Sequence, residues 1–490
     1  MKYPSLFTLS LISMTGVSYA SAQVKTSPTT SPNIILIMTD DMGWGDTGFN
    51  GNNIIQTPCL DRLAAEGTIF DRFYTGCAVS SPTRASCLTG RNPFRTGVFH
   101  ANVGILRPEE VTLSEMLQQR GYFTGHFGKW HLGTLTYTEK DANRARPGNT
   151  ALYNPPKEHG YTESFVTESK VPTYDPMIRT ANAKISFWDC LTSQDTAYAY
   201  GTSYWKHNGE KETENLKGDD SRVIIDRVLP FIKESQAARR PFFSAIWFHT
   251  PHLPCVAGPK YAQLYKDYSL QERNYYGCIS AMDEQVGRLV DFLKKEGLYE
   301  NTLICFCSDN GPENRTPGSA GPLRGRKRDL YEGGIRVPAF MVWPGKIAAH
   351  QRTSHIATTY DYLPTVADYL SLTPPPYELD GESLRGFFER KEARKTPHVV
   401  LIQQKGTVIE QQYKLQYVKG KYELYDIEKD NGEKNDIAAE HPDVVARLSA
   451  ILRQKGQAFH HSFEGQEYGT TSLQRVHQQW PRLPFEKKSK

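Results

Sequence analysis

Asn33-Ile-Ile-Leu-Ile-Met38, followed by Thr39, Asp40 and Asp41, is a short apolar run that ends in paired carboxylates. The arrangement recurs along the chain. A strand near Tyr122 to Phe127 precedes Lys129 and His131, and Phe242-Phe-Ser-Ala-Ile-Trp-Phe248 runs into His249-Thr-Pro-His252. Thr302-Leu-Ile-Cys-Phe-Cys307 runs into Asp309-Asn310. Helical stretches lie ahead of these strands: Leu113 to Arg120, opened by a Thr112-x-x-Glu115 capping box and closed at Gly121, then Ser221 to Ser235 and Asn274 to Glu296. Near-continuous apolar strands alternating with helices predict an α/β fold, with a large, mainly parallel or mixed central β-sheet sandwiched by helices. Ligands of such sheets bind beyond the carboxyl ends of the strands, so the four ionisable clusters should converge on one rim.

After Pro374-Pro375-Pro376 the pattern changes. His398 to Gln403, Tyr413 to Val418 and Tyr422 to Ile427 read as short strands, the last two paired around Lys419-Gly420-Lys421, and Pro442 to about Lys455 reads as a helix. That is a small C-terminal α+β unit with an antiparallel sheet. The expected division is a signal peptide over 1–22, a linker over 23–32, a catalytic domain over 33–385 and a small subdomain over 386–490 with a basic tail.

Composition limits the function. The 490 residues are 38% hydrophobic and 23% charged, which excludes a multispanning membrane protein, a collagen-like repeat and a disordered chain. A formal charge of +4 from 58 basic and 54 acidic residues is no nucleic-acid signature. Lys2, an apolar stretch from Leu6 to Val17 and Ala20-Ser21-Ala22 form a secretory signal cut after Ala22, which places the protein in the periplasm or outside the cell. No cysteine precedes Cys59, so no lipid-attachment site is seen, and no later apolar run reaches the eighteen or so residues that span a bilayer. Eight cysteines are too few for a disulfide scaffold, and their pairing cannot be read from spacing. Cys305 and Cys307 alternate as one face of a buried strand does, and without C-x-x-C a cysteine-bound zinc is not expected.

The most specific segment is Ser80-Ser-Pro82-Thr-Arg84-Ala-Ser-Cys-Leu88-Thr89-Gly90. With Gly128-Lys129-Trp130-His131-Leu132-Gly133, Thr250-Pro-His252, Ser308-Asp309-Asn310-Gly311, and Lys327 ahead of Glu332-Gly-Gly-Ile-Arg-Val-Pro338, it resembles the type I sulfatase family of the alkaline-phosphatase-like superfamily, in its serine-type bacterial form. The resemblance runs from about Asn33 into the C-terminal unit. It implies an alkaline-phosphatase-like fold and a sulfuric ester hydrolase in which Ser80 is oxidised to formylglycine by a serine-type maturase. An ordinary serine attacking sulfur would be left as a sulfate ester. A hydrated aldehyde has two hydroxyls, one to attack sulfur and one whose deprotonation expels sulfate.

The resemblance further implies that Asp40, Asp41, Asp309 and Asn310 bind one divalent cation together with residue 80. An all-oxygen set rich in carboxylates suits Ca2+ first, or Mg2+, rather than zinc. Arg84 and Lys129 would hold the hydrate and sulfate oxygens, and His131 would take the proton from the second hydroxyl. His252 and Lys327 would contact sulfate and help protonate the leaving oxygen, with the dominant acid left open. Donors placed on that oxygen act mainly in the transition state. His249 reads as a core residue, Cys87 as core packing, and Asp329 and Arg336 as supporting structure.

The stretch from Tyr137 to Gly218, with Trp188, Trp205, His159 and His207, sits where the family varies its substrate loops. Its aromatic residues serve either sugar stacking or packing. The segment from Tyr204-Trp205 to Asp219-Asp220-Ser221-Arg222 resembles bacterial sulfatases of galactose-type or N-acetylhexosamine-type sugars, so a sulfated carbohydrate is the expected substrate. Two rivals stand beside this reading: a phosphatase or phosphonate monoester hydrolase of the same superfamily, and a sulfoglycan-binding protein in which Ser80 stays unmodified.

Overall fold

A computed structural model describes Met1, residues 31–469 and residues 479–486. The expected signal peptide, most of the linker and the basic tail lie outside the described residues. Among the described residues no helix is long and apolar enough to cross a membrane.

The strands of the main sheet are β1 (Asn33–Thr39), β2 (Thr68–Phe70), β3 (Phe123–Lys129), β4 (Glu163–Thr167), β5 (Trp205–Lys206), β6 (Phe242–Trp247), β7 (Thr302–Ser308), β8 (Ala339–Val342) and β9 (Gln351–Thr353). They lie in the order β9-β2-β8-β7-β1-β6-β3-β4-β5. The central five, β7-β1-β6-β3-β4, are parallel, while β8 and β5 turn antiparallel against their inner neighbours. This is the mainly parallel, mixed sheet that the strand patterns predict.

Alternation along β1 sorts the two sheet faces. Ile34, Leu36 and Met38 face one core layer, with α2 (Ser80–Thr89), α3 (Leu113–Gln119) and α6 (Tyr362–Leu370). Ile35 and Ile37 face the other, with α1 (Pro58–Ala65), α4 (Asp220–Ala237) and α5 (Leu270–Lys295). Both faces are covered, so apolar residues continue through the strand instead of skipping every second position. Cys305 and Cys307 share a face with Cys87, and all eight cysteines are free thiols.

A second sheet of four antiparallel strands follows: β10 (His398–Ile402), β11 (Lys405–Glu410), β12 (Tyr413–Val418) and β13 (Lys421–Asp426), with α7 (Pro442–Phe463) across it. One face packs with α7 and with Phe94 and Phe99. The other presses Val400, Ile402 and Ile409 onto Tyr74 to Val79, the segment that leads into Ser80.

Several boundaries differ from expectation. The strand Lys405–Glu410 escaped sequence reading because it opens on Lys405-Gly406 and is joined to β10 by two residues only. α5 begins at Leu270, four residues early, through a second capping box between Ser269 and Glu272 in a polar first turn. α7 runs eight residues beyond Lys455, since Phe459 and the Ser462 region are buried against the Arg91–Arg107 segment. Gly333-Gly334 lies in a single helical turn, Glu332–Ile335, just ahead of β8.

Candidate active site

Backbone hydrogen bonds lock the strand ends together. Phe248 N–H donates to Met38 O at 2.9 Å, Asp40 N–H to Thr250 O at 3.0 Å, and Asp309 N–H to Thr39 O at 3.1 Å. The clusters after β1, β6 and β7 are therefore one surface. Asp41 adopts a left-handed backbone, φ 66°, which aspartate tolerates better than most residues and which points its N–H at Asp309 Oδ1, 3.1 Å away. Gly128, just before Lys129, allows β3 and β6 to close up, because a Cβ there would sit 2.0 Å from Trp247 O.

Ser80 is the first residue of α2, where unpaired N–H groups favour negative charge. Its Oγ lies 3.1 Å from Asp40 Oδ1 and 3.4 Å from Asn310 Oδ1. One turn later on the same face, Arg84 pairs with Asp309 Oδ2 at 2.8 Å, approaches Asp40 Oδ1 at 3.6 Å and stacks over Trp247. Lys129 Nζ lies 2.7 Å from Asp40 Oδ2. Lys327 Nζ bridges both Asp41 oxygens at 2.5 and 2.7 Å. Asn310 Nδ2 donates to Asp41 Oδ1 at 2.8 Å, and His252 Nε2 is 3.6 Å from Asp41 Oδ2. Ser80, Arg84, Lys129, His252, Lys327, Asp40, Asp41, Asp309 and Asn310 thus form one connected network. His131 joins through its backbone: its carbonyl accepts from Ser81 Oγ at 2.8 Å, while its ring meets Asn102.

Charge balances locally, three carboxylates against Arg84, Lys129 and Lys327, in a place almost without solvent. Burial pushes the Asp40 carboxyl up, but the permanent charges of Lys129, Arg84 and Lys327 hold it well below the usual range. Burial and the Asp40 charge push Asp309 up to about 7. Burial drives His252 down to about 3, and burial with Lys129 and Arg144 holds His131 well below the usual imidazole range, so both rings are neutral. Burial lowers Lys129, whereas at Lys327 the two nearby aspartates overcome burial and raise it.

The donor set fits a divalent cation. Ligand atoms of Asp40, Asp41 and His252 lie within 4.8 Å of one another, which brings His252 into a group that sequence reading had limited to oxygens. Arg84 Nε, Arg84 Nη1 and His131 Nδ1 are buried without partners, as expected of groups that wait for an anion or a reacting proton.

Sequence reading missed Asn102, Glu313 and Lys170. Glu313 sits 4.0 Å from Lys327 and pairs with Arg328 at 2.9 Å; its place four residues after Asp309 was the available signal. Lys170, just past β4, is lowered by burial and by Lys327 and Arg315. Nothing in the sequence marks Asn102. His249 is buried behind the rim, between Asp220 Oδ2 at 2.8 Å and Thr167 Oγ1 at 2.7 Å. Trp188 and Trp205 are buried and His159 bonds Asn154, so they pack; the exposed aromatic faces of that region are Tyr137 and Tyr198.

Residues 32–372 match the family model described as Sulfatase, and residues 325–458 match one described as N-sulphoglucosamine sulphohydrolase, C-terminal. The chain is 33% identical over 365 residues to N-acetylgalactosamine-6-sulfatase of Canis lupus familiaris, covering 70% of this chain and 63% of that protein. It is 33% identical over 371 residues to arylsulfatase A of Homo sapiens, covering 72% of this chain and 67% of that one. The alignment therefore spans just under two thirds of the first of these curated relatives. Among solved structures, Ps i-CgsB in complex with k-i-k-neocarrahexaose superposes with a TM-score of 0.74 at 27% identity, over 90% of this chain and 94% of that one. The chain belongs to the sulfatase family, within the alkaline-phosphatase-like superfamily.

Proposed function

We propose that this protein hydrolyses sulfate monoesters of a carbohydrate, through formylglycine made from Ser80 and one Ca2+. The observation that carries the reading is the seat of Ser80: its Oγ is 3.1 Å from Asp40 Oδ1 at a helix N-terminus, and the buried Arg84, which approaches the same Asp40 oxygen, keeps Nε and Nη1 unpartnered. Galactose-type or N-acetylhexosamine-type sugars are the favoured substrates, supported by the relatives that act on N-acetylgalactosamine sulfate or bind a neocarrahexaose. Export to the periplasm and a serine-type maturase belong to the same reading, with 33–385 as the catalytic domain and 386–490 as its small partner.

Asp40, Asp41, Asp309 and Asn310 would hold the cation, with His252 beside it, and the cation would supply positive charge to neutralise sulfate oxygens and favour the attacking alkoxide. Oxidised Ser80 supplies a hydroxyl for attack on sulfur and a second hydroxyl whose proton loss releases sulfate. Arg84 offers its free N–H groups to sulfate oxygens, and Lys129 keeps Asp40 ionised. His131 accepts the released proton at Nδ1, while His252 and Lys327 serve the leaving oxygen.

Mass spectrometry of the tryptic peptide Phe73 to Arg84 from protein made with a serine-type maturase tests the cofactor: two hydrogens are lost at Ser80. Sulfate and phosphate ester turnover are then compared with calcium and with zinc. Active protein with unmodified serine, or faster phosphate hydrolysis with zinc, overturns the reading. Binding of sulfated sugar without turnover after modification favours a binding protein instead.

A further inference from the structure

His131 and Asn102 both adopt left-handed backbones, φ 61° and 63°, a conformation that asparagine and histidine take up more readily than most residues with side chains. These two residues meet: His131 Nε2 lies 2.8 Å from Asn102 Oδ1. Asn102 occupies the tip of a tight turn closed by Val103 N–H to His100 O at 3.3 Å. The turn is braced from the substrate-loop region. Asn143 Nδ2 donates to the same Asn102 Oδ1 at 3.0 Å and to Ser169 Oγ at 3.0 Å. Arg144 donates to Gly104 O at 2.6 Å and to Glu168 Oε1 at 2.8 Å, and the Glu168 carbonyl accepts from His131 N–H at 3.0 Å. A carbonyl oxygen that accepts from Asn143 can accept again but cannot donate, so the proton of this bond sits on His131 Nε2. A neutral imidazole has one N–H, which leaves Nδ1 with the lone pair, and Nδ1 is the ring atom buried without a partner.

We infer that Asn102 is a positioning residue that holds His131 in its Nε2–H tautomer and so keeps Nδ1 as the proton acceptor of the site. The role deepens the sulfatase reading and rests on it. When sulfate leaves, the proton of the remaining hydroxyl passes to Nδ1, its O–H pair becomes the new C=O bond, and the C–O bond to sulfate breaks with its pair going to sulfate. A ring in the opposite tautomer would present N–H to that hydroxyl and could not take the proton.

The test separates the tautomer from the reaction. In full-length protein with Ser80 unmodified and histidine labelled with 15N, the His131 signals are identified by their loss in His131→Gln. Wild type should show a pyrrole-type Nε2 and a pyridine-type Nδ1. Asn102→Gly keeps the left-handed turn but removes the acceptor, and should give a mixture of tautomers. Asn102→Asp can only accept, and should retain the wild-type form. In protein with modified Ser80, Asn102→Gly should lower kcat for sulfate release about 10- to 100-fold with KM unchanged, and Asn102→Asp should recover most of it. An Nδ1–H ring in wild type, an unchanged tautomer in Asn102→Gly, or a loss in Asn102→Asp equal to that in Asn102→Gly overturns the inference. Expected tautomers in a modified wild type that releases no sulfate would refute the sulfatase reading and leave the assignment of the ring proton standing.

Discussion

Replacing Lys414 with methionine removes the charge that joins the small sheet to the loop carrying Lys327. Lys414 Nζ, on β12, lies 3.0 Å from Glu332 Oε1 and 2.9 Å from Glu433 Oε1, and all three side chains are sealed from solvent. Glu332 follows Lys327 by five residues and also accepts from Tyr74 OH at 2.9 Å. Removing one partner of a buried ion pair leaves uncompensated charge and costs about 3–5 kcal/mol. Methionine fills the lysine stem, so a cavity adds little. At about 2 °C per kcal/mol for a large domain, the melting temperature should fall by about 6–10 °C at pH 8. The pH dependence has a definite sign. Burial already pushes Glu433 up to about 7 beside Lys414 and Glu332. Without the ammonium, Glu433 rises further above its unfolded value, and Glu332, which Lys414 and Arg336 hold below the usual range against burial, loses its largest lowering partner and rises too. The folded variant then holds protons that the unfolded chain has lost, so its deficit is largest at alkaline pH and shrinks as pH falls toward 5. Thermal melts of wild type, Lys414→Met and the triple Lys414→Met, Glu332→Gln, Glu433→Gln between pH 5.5 and 8.5 decide it. The triple variant should regain part of the loss, because it removes both carboxylates stranded without the lysine, while Arg336 gives up its Glu332 partner and keeps the Asp71 carbonyl. A fall of under about 2 °C at pH 8, against the roughly 2 °C expected per kcal/mol, or a deficit that widens on acidification, refutes the reasoning.

Ser80→Ala should abolish sulfate release, by about 10^4-fold or more, while melting at the wild-type temperature; retained turnover would remove Ser80 from the chemistry. Chelation should lower both activity and melting temperature, and Ca2+ at about 100 times its Kd should return about 2.7 kcal/mol; better recovery with zinc would contradict the oxygen-rich assignment. Burial pushes His126, His159 and His398 down to about 3, 4 and 3. These rings stay neutral in the fold but protonate in the unfolded chain near pH 6.5, so stability should drop as pH falls below that value, by up to about 1.4 kcal/mol per pH unit for each ring. Urea midpoints at pH 7 and 5 measure the slope, and His126→Gln should flatten it; equal slopes in the two proteins would refute the contribution.

Local physical chemistry made much of this legible in the chain itself. Apolar runs such as Ile34 to Met38 can be stable only when buried on both faces, and the ionisable residues after them had to fall at strand ends. The Thr112–Glu115 capping box marked its helix to within one residue. Elements held by distant partners were harder to read: β11 exists because β10 and β12 flank it, and the last turns of α7 because Arg91, Arg95 and Arg107 reach its Ser462 region. The site divides in the same way. Asp40, Asp41, Ser80, Arg84, Lys129, His252, Lys327, Asp309 and Asn310 stood out by motif, whereas Lys129 meets Asp40 across 89 positions and Lys327 meets Asp41 across 286. Asn102 carries no motif and gains meaning only where its amide meets His131. Composition and local pattern are set by neighbours along the chain, so the sequence alone determined the apolar core strands, the helices ahead of them and the kinds of chemistry on the rim. Charge pairing and proton placement depend on distances of about 3 Å between remote residues, and those only the tertiary structure decided.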